Sequence, residues 1–140
     1  MTASSKVHKP RTARPGFTHV QGRDGSWFRA RCIVIPKVKH MGIIDRFASG
    51  LDLFLIPHPA SKQKSTTVDA SSSVKLDSTH STKVKIRQPT SPHREHEETT
   101  PVWIPNTSAP LSYDIILPTR LRWCFTVDDS EGKLSLTKVT

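Results

Sequence analysis

The chain has 140 residues, enough for one domain, yet only 34% of them are hydrophobic and 11 are proline, which excludes packing the whole length into a single core. Its formal net charge of +9 argues for a polyanionic partner and gives no support to catalysis. No apolar run approaches the roughly 18 residues of a membrane span, and the longest candidate, 51–57, carries Asp52.

The charge is not evenly spread. Residues 1–40 hold nine Lys and Arg against one acid, Asp24, so the basicity belongs to the N-terminal part. Residues 1–16 carry Lys6, Lys9, Arg11 and Arg14 with no acid and two prolines, and are read as a disordered basic arm. Such an arm suits nucleic acid or a nuclear import carrier, and a plain solvated tail explains it equally well. A mitochondrial presequence ranks lower, because Pro10 and Pro15 interrupt the amphipathic helix it requires.

Residues 17–21 and 26–35 are strand-like runs on either side of the sequence GRDG, whose Asp24-Gly25 suits a tight turn, so the first element is a hairpin. At period two, Phe28, Ala30, Cys32 and Val34 share one face, and Trp27, Arg29 and Arg31 share the other, before the run turns fully apolar at 33–35. Together with Lys37 and Lys39, that second face is a candidate nucleic-acid surface. The cations would meet phosphates and Trp27 would stack on an unpaired base. The plainer alternative is a solubilising edge strand.

In 41–56, Ile44, Phe47, Ala48, Leu51, Phe54 and Leu55 recur at helical spacing, which predicts a short amphipathic helix weakened by Gly42 and Gly50, with 51–56 equally able to be a strand. Within it, Ile44, Phe47, Leu51 and Leu53 reproduce the spacing of a leucine-rich nuclear export signal. A core-facing helix explains the same residues and is favoured. From 60 to 101 the chain is Ser/Thr-rich with sparse apolar residues, read as a disordered linker or exposed insertion, with one short strand conceivable at 83–87. Thr90-Ser91-Pro92 within it matches the pattern of a proline-directed phosphorylation site, with Thr90 and Ser91 as its candidates. His93 and His96 among Glu95, Glu97 and Glu98 have no second ligand pair, so no metal is assigned. Short apolar pieces fenced by Pro105, Pro110 and Pro118 follow, and alternation over 121–127 with a return at 134–136 predicts a C-terminal hairpin.

The expected architecture is therefore a small β-rich domain, all-β or α+β. Residues 17–59 supply a hairpin and one short helix, and 102–140 supply the strands and hairpin completing the same domain. No enzyme signature and no cofactor site is found. Cys32 and Cys124, with no secretory signal read at the start of the chain, are expected to be reduced in an intracellular protein distributed between nucleus and cytoplasm. The profile of a short basic chain with several host-type signals resembles small viral accessory proteins, although no family motif covers any part of it. Two functions compete: a non-enzymatic nucleic-acid-binding protein, and an adaptor that binds cellular (host) proteins through linear motifs in 41–56 and 88–110.

Overall fold

The computed structural model describes residues 16–59, 64–67, 74–127 and 137–139. In chain order the elements are β1 (Gly16–Gln21), β2 (Trp27–Val34), β3 (Gly42–Ile44), helix α1 (Asp45–Gly50), β4 (Ile56–Pro57), β5 (Lys64–Thr67), β6 (Lys75–Gln88), β7 (Ser91–Pro105), β8 (Ile115–Leu117), a 3-10 helix (Thr119–Cys124), β9 (Thr126–Val127) and β10 (Thr137–Lys138). Hydrogen bonding passes from β1 to β2, β8, β3, β7 and β6, then returns to β1 through His19↔Arg87 and Val20↔Ile86, so six strands close into a barrel. The β2–β8 and β3–β7 contacts are parallel and the other four antiparallel. Among the described residues no helix is long and apolar enough to cross a membrane.

Strand alternation fills the barrel. Val20, Ala30, Cys32, Ile43, Val84, Ile86, Val102, Ile115 and Leu117 point inward and are buried. Near the β1–β2 turn the interior is covered by Phe47, Ala48 and Leu51 of α1 and the residue after it, where the Leu51 carbonyl accepts the Arg23 N–H. Near the other end of β1 it is covered by Leu121 and Cys124 of the 3-10 helix, tied down by the Gln88 side-chain amide on the Trp123 carbonyl at 2.9 Å. A second cluster, Ile33, Ile35, Ile44, Leu76, Trp103 and Ile116, lies on the barrel's outer surface with Val38, Leu111 and Tyr113 packed against it. Two buried faces account for the fully apolar run at 33–35. Here the Trp103 indole lies so close to Gly42 that a Cβ would overlap its pyrrole edge.

The first hairpin forms where the sequence places it, with Gly25 at φ 88° and the Asp24 carboxylate accepting the Ser26 N–H at 2.9 Å. Three expectations require correction. The span 60–101, expected to be a linker, contains β6 and most of β7, the two longest strands and the most extensively paired. Its hydroxyls do not prevent burial. Ser78, Thr82 and Thr100 are buried, and each donates to a main-chain carbonyl, of His80, Phe54 and Met41 respectively. A small side chain with a satisfied hydroxyl is compatible with a barrel interior. The prolines are accommodated because β3 flanks β7 only at Val102 and Trp103, leaving Pro92 and Pro101 without a neighbour on that edge.

The helix predicted for 41–56 is confined to Asp45–Gly50, between strands β3 and β4. The strand predicted over 121–127 is largely the 3-10 helix Thr119–Cys124, entered from Pro118, in which Leu121 and Cys124 are inward at a spacing of three rather than two. Residues 134–136, its expected return, and 1–15, most of the basic arm, lie outside the described residues.

Candidate nucleic-acid interface

The outward sides of β1, β2 and β6 form one surface. Alternation sends Phe17, His19 and Gln21 outward from β1, Trp27, Arg29 and Arg31 from β2, and Lys83, Lys85 and Arg87 from β6. Register then aligns Arg29, His19 and Arg87 as one row across the three strands, through His19↔Arg29 and His19↔Arg87. Each guanidinium in the row lies on an aromatic ring. Arg29 Cζ is 3.8 Å from the Phe17 ring centroid and Arg87 Cζ is 4.1 Å from that of Trp27. The stacking fixes two flexible cations, and ring quadrupoles offset part of their desolvation. Among the described residues neither Arg29 nor Arg87 forms an ion pair with a carboxylate, and Arg29 Nε is buried with no hydrogen-bond acceptor.

His19 sits between the two cations. Burial first, then the charges of Arg87 and Arg29, push its imidazole down to about 4. Arg87 Nε donates to His19 Nδ1 at 3.5 Å, which assigns the ring proton to Nε2. The row therefore presents only donors, as an anion site requires.

Not every expected site residue joins this row. Arg31 Nη2 and Nε donate to the buried Asp114 carboxylate at 2.8 and 3.0 Å, a bidentate pair that raises the Arg31 pKa, chiefly through the hydrogen bond, and neutralises its charge. Lys37 and Lys39 are exposed in the turn between β2 and β3, beyond the far end of β2 from Trp27, about 25 Å along the strand. Lys6, Lys9, Arg11 and Arg14 lie outside the described residues. Arg87 was missed, along with Phe17 and His19. Its signal was the alternation Lys83, Lys85, Arg87, three cations on one face of the segment 83–87.

The remaining candidates are placed as follows. Ile44, Phe47 and Leu51 are buried, and Leu53 packs half-buried on the same core, so the export-type spacing is carried by core side chains in this fold. Thr90 is exposed in the turn between β6 and β7, where its N–H and hydroxyl both donate to Gln88 Oε1 at 2.7 and 2.9 Å, and Ser91 opens β7 opposite Gln88. A spacing of three along a strand puts His93 and His96 on opposite faces of β7. His96 turns to Glu98 at 2.7 Å, and Glu98 also meets Arg120 at 3.0 Å. Burial opposes ionisation of Glu98, but hydrogen bonds from His96, Arg120 and the Met41 amide outweigh it and hold the carboxyl below its ordinary pKa. No three His, Cys, Asp or Glu side chains among the described residues lie together as metal ligands. Cys32 and Cys124 are free and buried, and burial pushes both thiols up, Cys124 to about 12.

The two shifted groups give stability two separate pH dependences. His19 is neutral in the fold but protonates near 6.5 once unfolded, so its contribution is complete above that value and is lost as pH falls from about 6.5 to about 4. Glu98, with a depressed pKa, contributes above the ordinary carboxylate range and loses that contribution below it. Thermal melts from pH 8 to 3 are expected to show both losses. In His19→Gln the upper decline flattens while the lower persists, and in Glu98→Gln the reverse holds. An unchanged upper decline in His19→Gln would show that the imidazole is not held neutral by its burial beside the two arginines.

Compared with protein families, with curated proteins and with solved structures, the chain matches none.

Proposed function

We propose that the protein is a small non-enzymatic nucleic-acid-binding protein, in which the basic arm supplies non-specific attraction and the outer face of β1, β2 and β6 supplies the ordered contacts. The reading rests on the pair of ring-stacked guanidiniums, Arg29 on Phe17 and Arg87 on Trp27, held without carboxylate partners around a histidine whose acceptor nitrogen is already taken by Arg87. Phosphate oxygens are the acceptors such a row fits, and the net charge of +9 raises their local concentration. Lys6, Lys9, Arg11 and Arg14 would add phosphate contacts. The same four residues would engage an import carrier, which fits a protein distributed between nucleus and cytoplasm.

The test is a fluorescence-anisotropy titration of the full chain against a labelled mixed-sequence single strand at several salt concentrations. With about six phosphate contacts, the logarithm of the association constant should fall with a slope near −4 against the logarithm of salt. Binding that ignores salt, or no binding at low salt, refutes the reading.

A second reading is favoured by a different observation. Phe54, Leu55 and Ile56 are 71, 40 and 45% exposed, three consecutive large apolar side chains suited to docking another protein. An adaptor working through them would bind its partner with little dependence on salt. Thr90 and Ser91, exposed or half-exposed at a turn, would be its phosphorylation point.

A further inference from the structure

The row at the surface has a direction, and the surrounding charges restrict it. Arg29, His19 and Arg87 follow one another across β2, β1 and β6, and the next residue in register, on β7, is Glu95. Neighbouring strands are about 4.8 Å apart, so the two guanidinium-bearing positions are separated by about 10 Å measured across the strands. Along the strands the charge is interrupted on both sides. Following β2 from Arg29, the next outward cation is Arg31, already paired with Asp114. Following β6 from Arg87, the next is Lys85, which meets Glu95 at 3.8 Å and faces Glu97 in register. Arg87 leans away from Glu95, over β1 toward Trp27.

Resting on the nucleic-acid reading above, we infer that the ligand is a single strand that crosses the β-strands, from Arg29 over His19 to Arg87, and is stopped at β7 by Glu95 and Glu97. A path along β2 toward Lys37 and Lys39 would have to pass the neutralised Arg31. A path beyond Arg87 would bring phosphates against two exposed carboxylates. Single-strandedness follows from shape. The outer surface of a small barrel is convex across its strands, a flexible single strand can follow it, and a duplex with a persistence length of about 150 base pairs touches it only tangentially. Glu95 and Glu97 are thus specificity-determining residues acting by repulsion, marking one end of the site.

The experiment compares the full-length parent with Arg87→Ala, Lys37→Ala/Lys39→Ala and Glu95→Lys, using labelled single strands and a duplex of equal length over a salt series. Thermal melts verify that each variant is folded. Arg87→Ala should reduce the magnitude of the salt slope by about 0.7, one single-strand phosphate contact, and the double-lysine variant should leave it unchanged. Glu95→Lys should steepen the slope by about 0.7 and tighten binding severalfold, because it opens the blocked end. Single strands should bind at least tenfold tighter than duplex. A reduction in the double-lysine variant equal to that in Arg87→Ala, an unaltered Glu95→Lys, or equal affinity for duplex overturns the inferred path while the parent's binding still supports the function. A parent that does not bind removes the function and the path together.

Discussion

Ile86→Ala should destabilise the protein by about 2–5 kcal/mol, because it deletes three heavy atoms from the packed interior of a closed barrel and leaves a cavity there. Ile86 is 0% exposed, sits beside Val20 in the pairing that closes the barrel, and packs in the cluster containing Val84, Ile115 and Leu117. For a chain of this length such a loss lowers the thermal midpoint by roughly 10 °C or more. The size of the loss distinguishes a barrel strand from a linker in the middle of the chain. A residue in a solvated linker would shift stability by no more than about 0.5 kcal/mol. Thermal melts of the parent and Ile86→Ala decide between them, and a midpoint within about 2 °C of the parent would contradict the barrel.

The first hairpin was legible because each level of information agreed over 17–35. Asp24-Gly25 fixed the turn, and Ala30 and Cys32 fixed the inward face; burial of the 33–35 run on both sides emerged only with the second cluster. The strands of 75–105 were not legible because their buried positions are shared among few apolar side chains, Val84, Ile86 and Val102 inside the barrel and Leu76 outside it, and the hydroxyls of Ser78, Thr82 and Thr100. A Ser or Thr in a strand carries no local sign that a main-chain carbonyl, often far away in sequence, will accept its proton. Thr82 finds Phe54 and Thr100 finds Met41, 28 and 59 positions away. The C-terminal segment failed for the opposite reason. Alternation of Leu121, Trp123 and Phe125 was genuine, but Pro118 set the start of a 3-10 turn, and the burial of Leu121 and Cys124 follows that turn.

The site divides in the same way. Arg29 and Trp27 were identified from alternation within one strand, which is local information. That Arg31 is neutralised by Asp114, 83 positions away, and that Arg87, 68 positions from His19, stacks on Trp27, are consequences of barrel closure. A charge face read from one strand cannot distinguish a free cation from a paired one. Closure of β6 against β1 converts an unremarkable stretch of alternating cations into half of the candidate interface.

If the ring-stacked arginines bind phosphate, Arg29→Ala/Arg87→Ala must lose that binding. Each charge-assisted contact contributes about 1.5 kcal/mol, so losing both should weaken single-strand binding roughly a hundredfold. The salt slope should shrink by about 1.4. Stability should change far less. Each half-exposed cation–π contact is worth about 0.5–1 kcal/mol, and neither arginine fills the barrel interior. The most direct measurement is therefore the anisotropy titration of parent and double variant across a salt series, on protein shown folded by a thermal melt. The double variant should be folded, with about a hundredfold weaker affinity and a slope smaller by about 1.4. A folded variant that binds with the parent's affinity and slope would contradict it.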